Sequence, residues 1–512
     1  GVSTRAESYI TDRHGRDHVS TAKLGVNDDG TFTALHVTTW ANMGAYLSTF
    51  APLIPTALYV TLLSGVYKIP AIFGEAYGVM TNTVPVDAYR GAGRPEASYL
   101  VETIVDVAAR ELDMDPVELR RKNLIQPDEF PYQTPVALEY DSGDYPKLFD
   151  KIEELSEYKK LREEQEKARA EGRLVGIGFA SCIEASGPAP SATAVGLGAA
   201  IGLFESGSIR VHPTGKISAF TGSHSHGQGH ETTFAQIVAD ELGVPMEDVE
   251  IIHGDTDRIQ YGVGTYGSRS ASIGGSALVQ SAVKVRTKLK ELAAHMLEAS
   301  VDDMVYDQDE GAVYVAGSPD TKKSFAELAF AMTTANNLPG GMEPGLEETS
   351  FYDPVNFTFP YSAHVAQVEI DRETGEVEVQ KYFAVDDVGN VINPMIVEGQ
   401  ILGGIAQGIG QALWEHGIYD DDGQLLSGSM LSYALPRADG FPSIDVDRIE
   451  TPSPHNPLGV KGAGEMGTIA ATVTVSNAVL DALAPLGVRH LNMPLTAEKL
   501  SDAIVAANGG GE

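Results

Sequence analysis

The chain has 512 residues, with 36 Lys and Arg against 71 Asp and Glu, a formal charge of -35, 54 glycines and one cysteine. This length allows roughly two to four domains with large cores. The acidic field repels phosphate backbones and anionic lipid alike, which argues against nucleic-acid and membrane-surface roles. The acid excess runs along the whole chain, as in proteins adapted to high salt. The lone Cys182 excludes a disulfide framework and any iron–sulfur cluster held by this chain alone.

The chain opens on a charged run and reads as a piece whose true start lies upstream. Residues 17–48 hold two alternating runs around Asn27-Asp28-Asp29-Gly30, a hairpin signal. The apolar stretch 51–66 is short of a span of about 20 residues and carries Pro52 and Pro55, so it predicts buried core and no transmembrane segment. A helix is expected from Arg94, with Ala97, Leu100, Val101 and Ile104 on one face. Asp115-Pro116-Val117-Glu118 then supplies a cap, a proline at the first helical position and an acid three residues after the cap.

Residues 148–171 are almost all charge around a seam of Leu148, Ile152, Leu155, Tyr158 and Leu161, which predicts a solvated helix joining two halves. Domains are therefore expected at 1–147 and 173–512, with 148–172 as a charged helical linker. Strands are expected at 174–183 and 208–221. Residues 242–249 echo 112–119, a sign of duplicated architecture. A last hairpin covers 363–385 with its turn at Glu373-Thr374-Gly375, and the Gly-rich segments 399–413 and 458–482 read as loops feeding helices. The pattern is α+β.

Five segments carry candidate chemistry. His224, His226 and His230 lie in TGSHSHGQGHE, which reads as a three-imidazole metal site, as a solvated loop, or as a loop whose glycine amides and Gln228 approach a large polar cofactor. Gly262–Gly267 and Gly462–Gly467 both match G-x-G-x-x-G, but neither has the strand context of a dinucleotide fingerprint. The second leads into a helix of small residues, with Glu465 at its mouth either as a base or as a helix-initial acid satisfying the dipole. Arg90 and Arg94 flank a glycine turn, and Ser268-Arg269-Ser270 offers hydroxyls and a cation, both suited to anion binding or to plain salt bridging.

In register, AYRGAGRPEA (88–97), GSHSHGQGHETTFAQIVADELGVP (222–245), HGDTD (253–257), YGSRS (266–270), VEGQILGGIAQGIGQAL (397–413) and GVKGAGEMG (459–467) resemble the molybdopterin-binding large subunit of the xanthine dehydrogenase and aerobic carbon monoxide dehydrogenase family. The resemblance implies two cofactor-binding domains of the molybdenum hydroxylase type. It implies molybdenum held through a pterin dithiolene and not by side chains, with the pterin as a cytosine dinucleotide. Gln228 would bond the metal's oxo group, with Gly227 and Gly229 offering amides. Ser268, Arg269 and Ser270 would line the pterin or its nucleotide, Gln400 and Gln407 the pterin ring, and Gly464 the same cradle. Glu465 would be the general base in a hydroxylation that draws oxygen from water, and Arg90 would orient the substrate.

The implied partners are an iron–sulfur small subunit and an FAD-binding medium subunit, in a dimer of heterotrimers in the cytoplasm. The implied substrate is an aldehyde, an N-heterocycle or a similar small molecule. Two departures from the family pattern stand out. The carbon monoxide enzymes carry a copper-binding cysteine directly after the Tyr-Arg pair, where this chain has Gly91. The amino-terminal domain and a Gly-Gly-Phe-Gly loop are missing, so the chain reads as the carboxy-terminal two thirds of a large subunit. A carbon monoxide dehydrogenase, a non-catalytic assembly fragment and a zinc protein are the alternatives.

Overall fold

The computed structural model describes residues 2–188, 190–196 and 199–509. Strands β1 (His18–Val26) and β2 (Phe32–Gly44) form the hairpin expected around Gly30, and β3 (Ala71–Met80) joins β2 in parallel. Helices α1 (Arg94–Glu111) and α2 (Pro116–Lys122) follow. The Asp115 carboxylate accepts from the N–H groups of Val117 and Glu118, so the start of α2 is capped as its sequence predicts.

The segment expected as one solvated helix is instead two, α3 (Tyr145–Leu155) and α4 (Tyr158–Ala170), broken at Glu157 with φ 46°. Its seam is not solvated. Leu148, Phe149, Ile152, Tyr158 and Leu161 are buried in one core with Phe179, Tyr361 and Phe383. The charged residues cover only the outer face, so the apolar stripe makes these helices part of the core and not a free linker.

Next come β4 (Leu174–Ile183), β5 (Glu205–Val211), β6 (Ile217–Thr221), α5 (His230–Leu242), β7 (Val249–Ile252) and α6 (Ser276–Met296). Then follow β8 (Leu346–Tyr352), the hairpin of β9 (Tyr361–Ile370) and β10 (Val377–Asp387), α7 (Pro394–Leu413), β11 (Ile444–Ile449) and α8 (Met466–Leu483). One four-stranded sheet has the order β8-β5-β6-β7 and another β11-β10-β9-β4. The echo of 112–119 in 242–249 stops at the sequence. Pro245 offers no side-chain cap, and Met246–Asp248 forms a single 3-10 turn before β7.

The Gly-rich segment 399–413 is not a loop but the interior of α7. Its glycines are there for packing: a Cβ on Gly404 would lie 2.9 Å from the Cα of Gly467 on α8. Residues 458–465, by contrast, form a loop that feeds α8, as expected. The stretch Met466–Leu486 is long and apolar enough to cross a membrane, yet 78% of it is buried inside the protein. It is the core helix on which β4, β9 and α7 pack.

Candidate active site

The loop 88–94, the loop before α5, the loop 264–270, the first half of α7 and the loop before α8 meet around a cavity of about 710 Å³. That volume is within the range of small-molecule and cofactor sites. Glu465 stands at its wall as the residue preceding α8, and its side chain makes no capping bond to the helix. One oxygen, Oε1, accepts from the Gly267 N–H at 3.2 Å. The other, Oε2, is buried without a hydrogen-bond partner, 3.9 Å from Nη1 of Arg94. The side chain is therefore not tied to the helix as a cap.

Arg90 ties three elements together. Its Nε donates to the Gly464 carbonyl at 2.6 Å, Nη1 to Gln407 Oε1 at 3.3 Å, and Nη2 to the Gln400 carbonyl at 3.1 Å and to Gln400 Oε1 at 3.4 Å. Gln400 borders the cavity, whereas Gln407 stands behind Arg90. Arg94 is 2% exposed, and donates to the carbonyls of Gly91, Ala92 and Ala185.

Gly227 and Gly229, both with positive φ, frame Gln228, whose amide folds back on His226. A Cβ on Gly227 would meet nothing within 4 Å, so the loop leaves open space there. Ser268 has φ 53°, a sparsely populated conformation for a non-glycine residue, and its hydroxyl is buried without a partner. Ser270 is bonded to Thr265 at 2.8 Å. Gly464 completes the wall, and a Cβ there would come within 3.6 Å of the Ser268 hydroxyl.

Arg269 is placed differently from its expected position along a cofactor. It is fully buried, paired with Glu205 at 2.9 Å, and donates to the carbonyls of Leu203 and Gly264. The short loop turns this side chain into the protein, where Glu205 is its counter-charge, while Ser268 and Ser270 stay at the cavity. Replacing Arg269 with Met leaves the Glu205 carboxylate buried without a cation. This is expected to destabilise the fold by about 3–5 kcal/mol, measured as a lowered midpoint in urea or thermal unfolding.

The three-imidazole reading fails on geometry. His224 Nδ1 and His226 Nε2 are 3.3 Å apart, a spacing that two ligands can share, but the third imidazole does not join them. His230 faces inward and stacks on Phe234, and burial pulls its pKa down to about 4. Among the described residues no three His, Cys, Asp or Glu side chains converge on a metal position.

The sequence reading missed Glu184. It directly follows the ten buried residues of β4, is itself fully buried, and neither carboxyl oxygen has a hydrogen-bond partner. Burial first, and the neighbouring Glu465 charge second, push it up to about 8. The available signal was an acid immediately after a strand whose only polar residue is Ser181.

Residues 1–124 and 151–442 each match the family described as the molybdopterin cofactor-binding domain. The chain is 40% identical over 505 residues to the carbon monoxide dehydrogenase large chain of Hydrogenophaga pseudoflava, covering 98% of this chain and 62% of that one. Its structure superposes with TM-score 0.93 on the Cu,Mo-CO dehydrogenase, at 38% identity, covering 99% of this chain and 64% of that one. The chain belongs to the xanthine dehydrogenase and aerobic carbon monoxide dehydrogenase family of molybdopterin-binding large subunits. The quinoline 2-oxidoreductase of Pseudomonas putida 86 is equally similar in fold, with TM-score 0.93 and 40% identity, over 98% of this chain and 64% of that one. The chain thus spans about 62–64% of the length of these relatives.

The cavity of this family member fits a large polar cofactor. It has open space at Gly227, an unpartnered buried hydroxyl on Ser268, and backbone amides in glycine-rich loops on two sides. Buried polar atoms in native interiors are rarely left unpaired, and those of Ser268 and Glu465 border the cavity.

Proposed function

We propose that this chain is the catalytic, cofactor-holding part of a molybdenum hydroxylase that oxidises an aldehyde, an N-heterocycle or a similar small substrate with water as the oxygen source. The observation that carries the reading is Glu465, a carboxylate at the cavity wall that is free of capping duty and keeps one oxygen unpartnered. When bound, molybdenum–molybdopterin, as the cytosine dinucleotide, supplies the two-electron redox chemistry that side chains lack.

Gly227, Gln228 and Gly229 hold that group from one side, and Ser268, Ser270, Gln400 and Gly464 from the other. Glu465 takes a proton from water as the oxygen reaches the substrate carbon. Arg90 is fixed by a backbone carbonyl of the loop before α8 and by carbonyl and amide oxygens of α7, so it orients the substrate as an immobile positive charge. The halves that embrace the cofactor divide at 1–147 and 173–512. Electrons leave to an iron–sulfur small subunit and an FAD-binding medium subunit, in a cytoplasmic dimer of heterotrimers. The one cysteine in this sequence cannot ligate a cluster.

Oxidation of carbon monoxide is the second reading, favoured by the relatives that carry that name. Against it stands position 91, where the resemblance places a copper-binding cysteine. Gly91 has φ 104°, and a Cβ there would lie 2.4 Å from Pro95 Cγ. Cys182 is buried on β4 among Met466, Ile469 and Val473, away from the cavity wall.

Elemental analysis of the purified holoenzyme separates the readings. Molybdenum near one per chain without stoichiometric copper, together with dye reduction by an aldehyde or N-heterocycle, is the expected result. Copper at parity with molybdenum and dye reduction by carbon monoxide installs the second reading, and zinc alone or no metal overturns both.

A further inference from the structure

Five buried polar atoms that form no well-aligned hydrogen bond lie within reach of one another beside the cavity. They are both carboxyl oxygens of Glu184, Oε2 of Glu465, the hydroxyl of Ser268 and Nε of Arg94. They come from four separate stretches of chain: the end of β4, the loop before α8, the loop 264–270 and the start of α1. Orphaned atoms in such number call for an unseen hydrogen or water between them.

The charge balance points to a hydrogen. The charged groups facing Glu184 are Glu465 and Arg94, with Arg90 acting at longer range and its N–H groups already donated to Gly464, Gln400 and Gln407. Two carboxyls thus face one adjacent guanidinium in a water-poor pocket, a setting in which both do not ionise together. The environment also says where the charge rests. Glu465 has the Gly267 N–H, the Arg94 guanidinium within 3.9 Å and partial exposure, whereas Glu184 has none of the N–H donors and no exposure.

We propose that Glu184 is a positioning acid for Glu465: the two carboxyls hold one proton between them, which rests on Glu184 and is donated to the free Oε2 of Glu465. The proposal rests on the reading of Glu465 as the base. The shared proton fixes the Glu465 carboxylate in place and keeps it unprotonated. When Glu465 takes its proton from water, the pair holds two, and the second leaves from Glu465, the partly exposed member. The direction of the Glu184 shift agrees, since burial and the Glu465 charge both favour its neutral form.

Infrared spectroscopy on the holoenzyme tests this without turnover. The difference between the parent and Glu184→Gln at pH 7 is expected to show the C=O band of a protonated carboxylic acid, fading as pH rises through about 8. In Glu465→Gln, where the neighbouring charge is gone, the band should fade at a pH lower by about one unit or more. The alkaline limb of the kcat/KM profile should disappear in Glu184→Gln, whatever the height of that profile. No such band in the parent at pH 7, or an unmoved fading point in Glu465→Gln, overturns the proposal, and the second comparison stands even where Glu184→Gln does not fold. If the band behaves as described while Glu465→Gln turns over like the parent, the pair stands and the base assignment falls. An inactive Glu465→Gln with no band in the parent leaves the base assignment and removes the pair.

Discussion

Glu465→Gln is expected to lower substrate-dependent dye reduction by about 10²–10⁴-fold, the usual contribution of a general base, while molybdenum per chain stays at the parent value. The variant keeps the side-chain shape and a carbonyl oxygen for the Gly267 N–H, so the bond at 3.2 Å can persist. What it loses is the ability to accept a proton. Of the groups assigned to hold the cofactor, Gly227, Gln228, Ser268 and Gln400 belong to other stretches of chain, and the neighbouring Gly464 acts only through its backbone. Parent-like turnover would remove Glu465 as the base, and loss of molybdenum together with activity would make its role one of cofactor retention.

Gly178→Val is expected to abolish folding. Gly178 lies in the middle of β4, and a Cβ there would be 2.0 Å from the Thr474 carbonyl and 2.5 Å from the Ala478 nitrogen, both main-chain atoms of α8. Gly176, on the same face of the strand, would place a Cβ 1.9 Å from the Ala478 carbonyl. Strand and helix thus touch backbone to backbone. Any side chain at Gly178 forces them apart, and α8 is buried almost throughout its length. The loss is comparable to the whole stability of a domain, about 5–15 kcal/mol, because the strand also pairs along its full length with β9.

The same displacement would carry Glu465 away from the cavity, so any residual soluble protein should lack activity as well. Soluble yield and a melting curve are the measurements. Gly340→Ala is the control, since a Cβ at Gly340 meets nothing within 4 Å. A Gly178→Val variant that melts with the parent would show that α8 does not pack on β4 as described.

Much of the site was legible because its signals are local. Gly227 and Gly229 around Gln228, and Gly464-Glu465 before a helix of small residues, are properties of a few consecutive residues. The structure brings these stretches to one cavity. Arg269 and Glu184 were not legible in the same way. Ser268, Arg269 and Ser270 are neighbours in one turn, yet which of the three faces inward depends on Glu205, 64 residues away. Glu184 acquires its character from burial first and then from Glu465, 281 residues further along the chain.

The glycines of 399–413 show the same limit. In sequence they read as loop, since glycine weakens an isolated helix. In the structure they are helical because Gly404 and Gly467 let two helix backbones approach, and the packing gained outweighs the propensity lost.

By itself, then, the sequence determined the first hairpin, the capped helix at Asp115, the family, and the loops that shape the cavity. Turn chemistry, capping and motif spacing act over a few residues and need nothing else. Only the tertiary structure decided that the charged segment 148–171 is a broken pair of core helices, that Arg269 is an internal counter-ion, and that Glu184 lies against Glu465. Each of these depends on burial and on charges brought together through space from distant parts of the chain, where the loss of water makes an unpaired carboxyl or an exposed apolar seam too unfavourable to keep.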